Sequence, residues 1–94
     1  MRVRWLRTAL ENLADEAEYI ALDSPAAAAN VVSAISEAVD SVTKYPAIGR
    51  PGRVTGTREL VVSGTPYIVP YRVRAGSVEI LRIFHGARKW PESF

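Results

Sequence analysis

Arg58, Arg82, His85 and Arg88 are the residues of this sequence whose types suit a reaction together. Cleaving a phosphodiester without a metal needs a general acid or base that titrates near neutrality. It also needs cations to stabilise the charge that develops on the phosphoryl oxygens, and one histidine among arginines supplies both. Trp90, close by in the chain, offers a face on which a base could stack. A plainer account fits the same residues. A lone histidine can simply close a strand end, the arginines can be solvated or paired with Glu59, Glu79 and Glu92, and Trp90 can plug the lower end of a sheet.

Other chemistries find little support. The 94 residues include one histidine and no cysteine, so disulfides and thiolate metal sites are excluded, and the acids lack ligand-like spacing to the histidine. No metal and no cofactor are expected. Gly49-Arg50-Pro51-Gly52 neither follows a strand nor contains the lysine-serine or lysine-threonine pair of a phosphate loop, so it reads as a turn. No serine sits in a nucleophile elbow.

The charge is unevenly placed. Residues 1–48 hold four basic and seven acidic side chains, a net −3, whereas residues 49–94 hold eight and three, a net +5. Seven of those eight cations are arginine, whose planar fork grips phosphate or carboxylate through two parallel hydrogen bonds. Arg50, Arg53, Arg58, Arg82, His85, Arg88, Lys89 and Trp90 are therefore the candidate residues for binding an anionic target. A solvated basic face balanced by acidic helices is the competing account. The arginine-bearing start, Met1 to Leu10, has no continuous apolar region, and no stretch approaches the ~20 apolar residues of a membrane span. The expectation is a cytoplasmic protein with no membrane partner.

The elements that must position these residues form one α+β domain over residues 1–94, a length suited to a single core. Arg2 to Leu6 alternates polar and apolar side chains as a short strand would, with Val3 and Trp5 facing inward. Thr8 and Glu11 read as a capping box for a first helix over Ala9 to Leu22, with Leu10, Leu13, Ala17 and Ile20 on its apolar stripe. Ser24 as N-cap and Pro25 at the first helical position begin a second helix. Its stripe is Ala28, Val31, Ile35, Ala38 or Val39, and Val42, and it ends near Tyr45 because Pro46 disfavours helical geometry before it. The segment from Pro46 to Gly56 reads as a loop. Three strand-like runs follow, Arg58 to Ser63, Tyr67 to Arg74 and Ser77 to His85, joined by connections short enough only for hairpins. They predict an antiparallel sheet with the two-helix antiparallel hairpin packed on one face. Pro70 would remove a ladder hydrogen bond, which predicts a bulge or an outward-pointing position there. In the third run Val78, Ile80, Arg82 and Phe84 should share one face, with Glu79, Leu81, Ile83 and His85 on the other. Both faces are largely apolar, so either one is left to a partner or the strand is deeply buried.

Three successions carry a family resemblance: Pro46-Ala-Ile-Gly-Arg50-Pro-Gly-Arg-Val-Thr-Gly56-Thr-Arg58-Glu-Leu60, Tyr67-Ile-Val-Pro-Tyr71-Arg-Val73, and Ile80-Leu-Arg-Ile-Phe-His85-Gly-Ala-Arg88-Lys-Trp90. Together with the helix opening at Ala9 to Leu13 and the restart at Ser24 to Ala27, they resemble the plasmid-stabilisation toxins of the RelE/ParE superfamily over essentially the whole chain. The resemblance implies a growth-inhibiting toxin of a type II toxin–antitoxin system. It also implies a hetero-oligomer with a cognate antitoxin, whose acidic, partly disordered segment folds onto the sheet and the basic surface. One branch of the superfamily inhibits DNA gyrase; the other cuts mRNA on the ribosome as a metal-independent interferase. In the cutting branch an arginine follows the first tyrosine of the middle strand and a late tyrosine or histidine takes part, whereas here Ile68 follows Tyr67 and no tyrosine follows Arg88. The resemblance thus leans to a ParE-like, non-enzymatic inhibitor of gyrase. The alternative is a nuclease using Arg58, Arg82 and His85, and a third reading is a non-toxic or decayed binding partner.

Overall fold

A computed structural model describes residues 1–86 and 94. Arg88, Lys89 and Trp90, three of the expected target-binding residues, lie outside the described residues.

The chain begins with β1 (Arg2–Trp5) and turns directly into α1 (Arg7–Ala21). Leu6 makes that junction. Its N–H donates to the Ile80 carbonyl while its own carbonyl accepts from Leu10 N–H, so one residue ends the sheet pairing and starts the helix. The capping box expected at Thr8 is therefore absent: Leu6 occupies the N-cap without a side-chain cap, and Thr8 already lies in the first turn. The buried stripe is correspondingly shifted. Ala9 and Glu16 are buried and Leu13 and Ile20 pack on the core, whereas Leu10 is 51% exposed.

Helix α2 (Pro25–Lys44) begins as its sequence demands. Ser24 Oγ accepts from Ala27 N–H at 3.1 Å, and Pro25 fills the first helical position, where an amide hydrogen would have no partner. Ala28, Ile35, Val39 and Val42 are buried at helical spacing, and the burial of the isoleucine and of each valine contributes roughly 1.5–3 kcal/mol. The helix stops at Tyr45, immediately before Pro46.

The sheet contains β2 (Arg50–Pro51), β3 (Arg58–Val61), β4 (Tyr67–Arg74), β5 (Ser77–Ile80) and β6 (Phe84–His85). Strands β3, β4 and β5 form the expected antiparallel meander, and β1 adds to its far edge parallel to β5, giving the order β1-β5-β4-β3-β2. The segment expected to be only loop and turn contributes β2, which pairs with the start of β3. At the other end Ala75 and Gly76, with φ of 51° and 76°, make a two-residue turn of the kind that matches strand twist.

The third run is not one strand. Between the pairs Tyr71↔Ile80 and Ile68↔Phe84, strand β4 spans two residues and the opposing chain spans three, Leu81 to Ile83. The cause is Pro70, which has no N–H to give this side and is engaged only through its carbonyl, accepting from Leu81 N–H at 3.0 Å. The expected bulge is thus present, and it reverses the alternation beyond it. Phe84 falls on the face of Ile68 rather than of Ile80, and His85 joins Tyr67. Val78, Ile80, Leu81 and Ile83 are all buried, so this run is interior rather than left open for a partner.

The helices cover one face. Tyr67, Val69, Tyr71, Val78, Ile80 and Ile83 meet Ala9, Ile35, Val39 and Val42 in the core. Trp5 packs against the same cluster, but Val3, expected inward, is 40% exposed at the end of the edge strand, although it shares the face of Val78.

Candidate functional site

The expected site residues fall into two groups that the described structure holds in different ways. Arg50, Arg53 and Arg58 belong to the β2–β3 corner. There Glu59, buried on the face away from the helices, accepts from Arg50 Nε and Nη2 at 3.2 and 3.0 Å and from the Arg53 backbone N–H at 2.8 Å. Arg53 Nε stands 3.6 Å from the same carboxylate. The guanidinium sides of both arginines remain about half exposed, at 50% and 47%. Arg58 lies on the opposite face, beside Tyr71, and donates to the Gly49 carbonyl at 2.8 Å and the Ala47 carbonyl at 3.4 Å. It fastens the loop that leaves α2.

Arg82 and His85 belong to the bulged end of the third run. Arg82 Nη1 donates to the Leu81 carbonyl at 2.6 Å, and its guanidinium lies 5.4 Å from the centre of the Phe94 ring, which stacks on Phe84. His85 meets the Tyr67 ring edge-on at 5.7 Å between centroids. The Tyr67 hydroxyl in turn donates to the buried Glu16 carboxylate at 3.1 Å. Arg58 therefore stands with the α2 loop and His85 with Tyr67 and α1, while the position after the first tyrosine of the middle strand holds Ile68, 8% exposed. Among the described residues no group of three or more His, Cys, Asp or Glu is placed to hold a metal ion.

The face turned away from the helices carries cations that sequence reasoning passed over. Strand register places Arg2 opposite Ser77 and Ser77 opposite Arg74, then Arg4 opposite Glu79 and Glu79 opposite Arg72. Two rows result, Arg2-Ser77-Arg74 and Arg4-Glu79-Arg72, crossing three strands. The signal was present as Arg-x-Arg alternation in two strands, but nothing in the sequence says that β1 and β4 flank the same neighbour.

Glu79 anchors the second row. Arg72 Nε donates to its Oε1 at 2.6 Å and Arg4 Nη1 stands 3.7 Å from Oε2. The Arg72 hydrogen bond holds the carboxyl below its ordinary 4.5; burial opposes this, and the charges of Arg72, Arg74 and Arg4 reinforce it. A carboxylate with a depressed folded value contributes stability that is complete above its ordinary, unfolded value. That contribution is lost as pH falls through the folded one. Thermal melts of wild type and Glu79→Gln between pH 3 and 7 are expected to differ constantly near neutrality and to converge below about pH 4.5. A difference that stays constant down to pH 3 would remove this role from Glu79.

A groove of about 300 Å³ lies between α2 and β3, lined by Ala34, Ala38, Ile48, Leu60 and Val62 with Glu37 at its rim. Strand β2 covers only Arg58 and Glu59 of β3, so among the described residues Leu60 and Val61 have no strand partner on that edge.

No helix among the described residues is long and apolar enough to cross a membrane. The family described as "ParE toxin of type II toxin-antitoxin system, parDE" matches residues 3–90. Y4kP of Sinorhizobium fredii, a protein named as a toxin, is 50% identical over 91 residues, spanning 97% of this chain and 94% of that protein. Toxin RelE2 of Caulobacter vibrioides is 41% identical over 87 residues, spanning 93% and 97%. A chain of the chromosomal ParDE TA system from P. aeruginosa superposes with a TM-score of 0.82 at 32% identity, covering 90% of this chain and 95% of that one.

Proposed function

Because the chain belongs to the ParE toxin family and is the toxin of a type II toxin–antitoxin system, we propose that it arrests growth in the cytoplasm by binding DNA gyrase. In this reading it does not cut RNA, and a cognate antitoxin neutralises it in a hetero-oligomer. The observation that carries the preference is the dispersal of the residues a metal-independent nuclease would use. Arg58 is spent on two loop carbonyls, Arg82 leans on Phe94, His85 packs on Tyr67, and Ile68 is buried. Acid–base catalysis needs such groups within reach of one scissile bond. The antitoxin's seat in this reading is the groove between α2 and β3, where an apolar segment can fill the space and the open edge of β3 can accept a strand.

The test sets a gyrase supercoiling assay beside translation-coupled mRNA cleavage. Supercoiling should be inhibited, relieved by the antitoxin, with no cleavage. Cleavage with gyrase unaffected would overturn the proposal, and His85→Ala and Arg82→Ala would then each be expected to lower the cutting rate by about 10²-fold. Induction of the chain alone without growth arrest would sink the toxic reading altogether.

A further inference from the structure

The two arginine rows on the sheet face turned away from the helices carry more cationic charge than Glu79 balances, and the antitoxin groove uses none of it. Four guanidinium groups, those of Arg2, Arg4, Arg72 and Arg74, surround one carboxylate and one serine hydroxyl. Strand spacing sets the two flanking columns about 10 Å apart, and the alternation along each strand separates successive arginines by about 7 Å. Arg4 is 71% exposed despite its contact with Glu79. Arg2 and Arg74 are exposed and have no ion-pair partner among the described residues. Glu79 is buried and takes only the Nε edge of Arg72, which fixes that side chain against the sheet.

We propose that this face is a binding surface for the phosphate backbone of duplex nucleic acid, gripped by Arg2, Arg4, Arg72 and Arg74. The reasoning is by what the face offers and what it lacks. A protein segment held tightly needs apolar or aromatic anchors at the centre of its footprint. The rows contain none, since Val3 and Val73 share the opposite face with Val78. A single strand is held largely by stacking its bases on aromatic side chains, and the rows contain no aromatic residue. A duplex backbone asks only for cations and hydrogen-bond donors on an accessible surface, and such interfaces are the most polar and positive of the macromolecular kinds. Arginine suits the task because its fork meets two phosphate oxygens at once. Contacts made to phosphates alone carry no sequence information, so binding is independent of sequence. This surface goes beyond the gyrase reading and does not depend on it: a chain inert towards gyrase would still bind DNA.

The experiment measures fluorescence anisotropy of a labelled random-sequence 20-base-pair duplex with the full chain across a salt series. Three to four phosphate contacts predict a slope of about −3 in log affinity against log salt. Arg2→Gln with Arg74→Gln should weaken binding at low salt by about 10- to 100-fold and reduce the slope by about 2. Arg7→Gln with Lys44→Gln removes the same net charge from the helical layer and should leave the slope unchanged. Replacing Arg2 and Arg74 with lysine should retain it. Circular dichroism melts confirm that each variant folds, and Arg74→Gln alone, with a slope change of about 1, serves if the pair does not. Equal losses in the two glutamine pairs would overturn the proposal, as would absence of duplex binding at 50 mM salt. Competition by a glutamate-rich peptide as effective, charge for charge, as unlabelled DNA would reassign the face to an acidic protein segment.

Discussion

Tyr71→Ala is expected to cost about 5 kcal/mol, enough to leave much of the free chain unfolded. The ring is fully buried between helices and sheet, and removal of a buried aromatic typically costs about 3–5 kcal/mol. Its hydroxyl does a second task. It accepts from Gly49 N–H at 2.9 Å and donates to the Pro46 carbonyl at 2.7 Å, so it fastens the chain where α2 gives way to β2. Truncation orphans both groups, adding about 1–3 kcal/mol. A 94-residue domain has a total stability of about 5–14 kcal/mol, so the loss takes a third of it or more. Tyr71→Phe, which keeps the ring, should cost only about 1–3 kcal/mol. Urea midpoints at constant m-value decide the matter, and equal losses for the two variants would show that packing contributes little. The same contact explains why residue 49 is glycine: a β-carbon there would stand 2.7 Å from the tyrosine ring and its hydroxyl.

The second large effect is expected at Glu59. Glu59→Lys places a cation at a position only 2% exposed, between two arginines that now repel it, and strips the Arg53 backbone N–H of its acceptor. Breaking a buried pair in this way costs about 3–5 kcal/mol. Glu59→Gln keeps one acceptor oxygen, for that N–H or for Arg50 but not for both, and should cost about 1–3 kcal/mol. If the lysine variant melts like wild type, the carboxylate does not hold the β2–β3 corner. The distinction matters for function because this corner carries Arg50 and Arg53, and loosening it frees two exposed arginines without removing either.

Local signals were legible in the sequence where they sufficed. Ser24-Pro25 began α2 because a cap needs only its own next turn, and the stripe from Ala28 to Val42 needed only helical spacing. Thr8-x-x-Glu11 had the same local form and failed, because Leu6 is tied to Ile80 across the sheet and the helix starts before the cap can form. Pro70 announced a bulge, but the strand that would absorb it could not be named. Alternation alone makes Ser77 to His85 one strand, which puts Phe84 and His85 on the wrong faces. Charge counting along the chain set Arg2 and Arg4 in the acidic half. The fold carries them to the basic face beside Arg72 and Arg74, where no linear count would find them.

That parallel seam between β1 and β5 also sets the order in which the molecule can be completed. Strand β1 finds its neighbour only after Ile80 has been made, and a contact so distant along the chain forms late and at high cost in loop closure. The arginine rows exist only once that seam has closed. The hairpin of β4 and β5 sets Arg72 and Arg74 beside Glu79 and Ser77, and the seam then adds Arg2 and Arg4, so the cationic face is completed in two steps, the local one first.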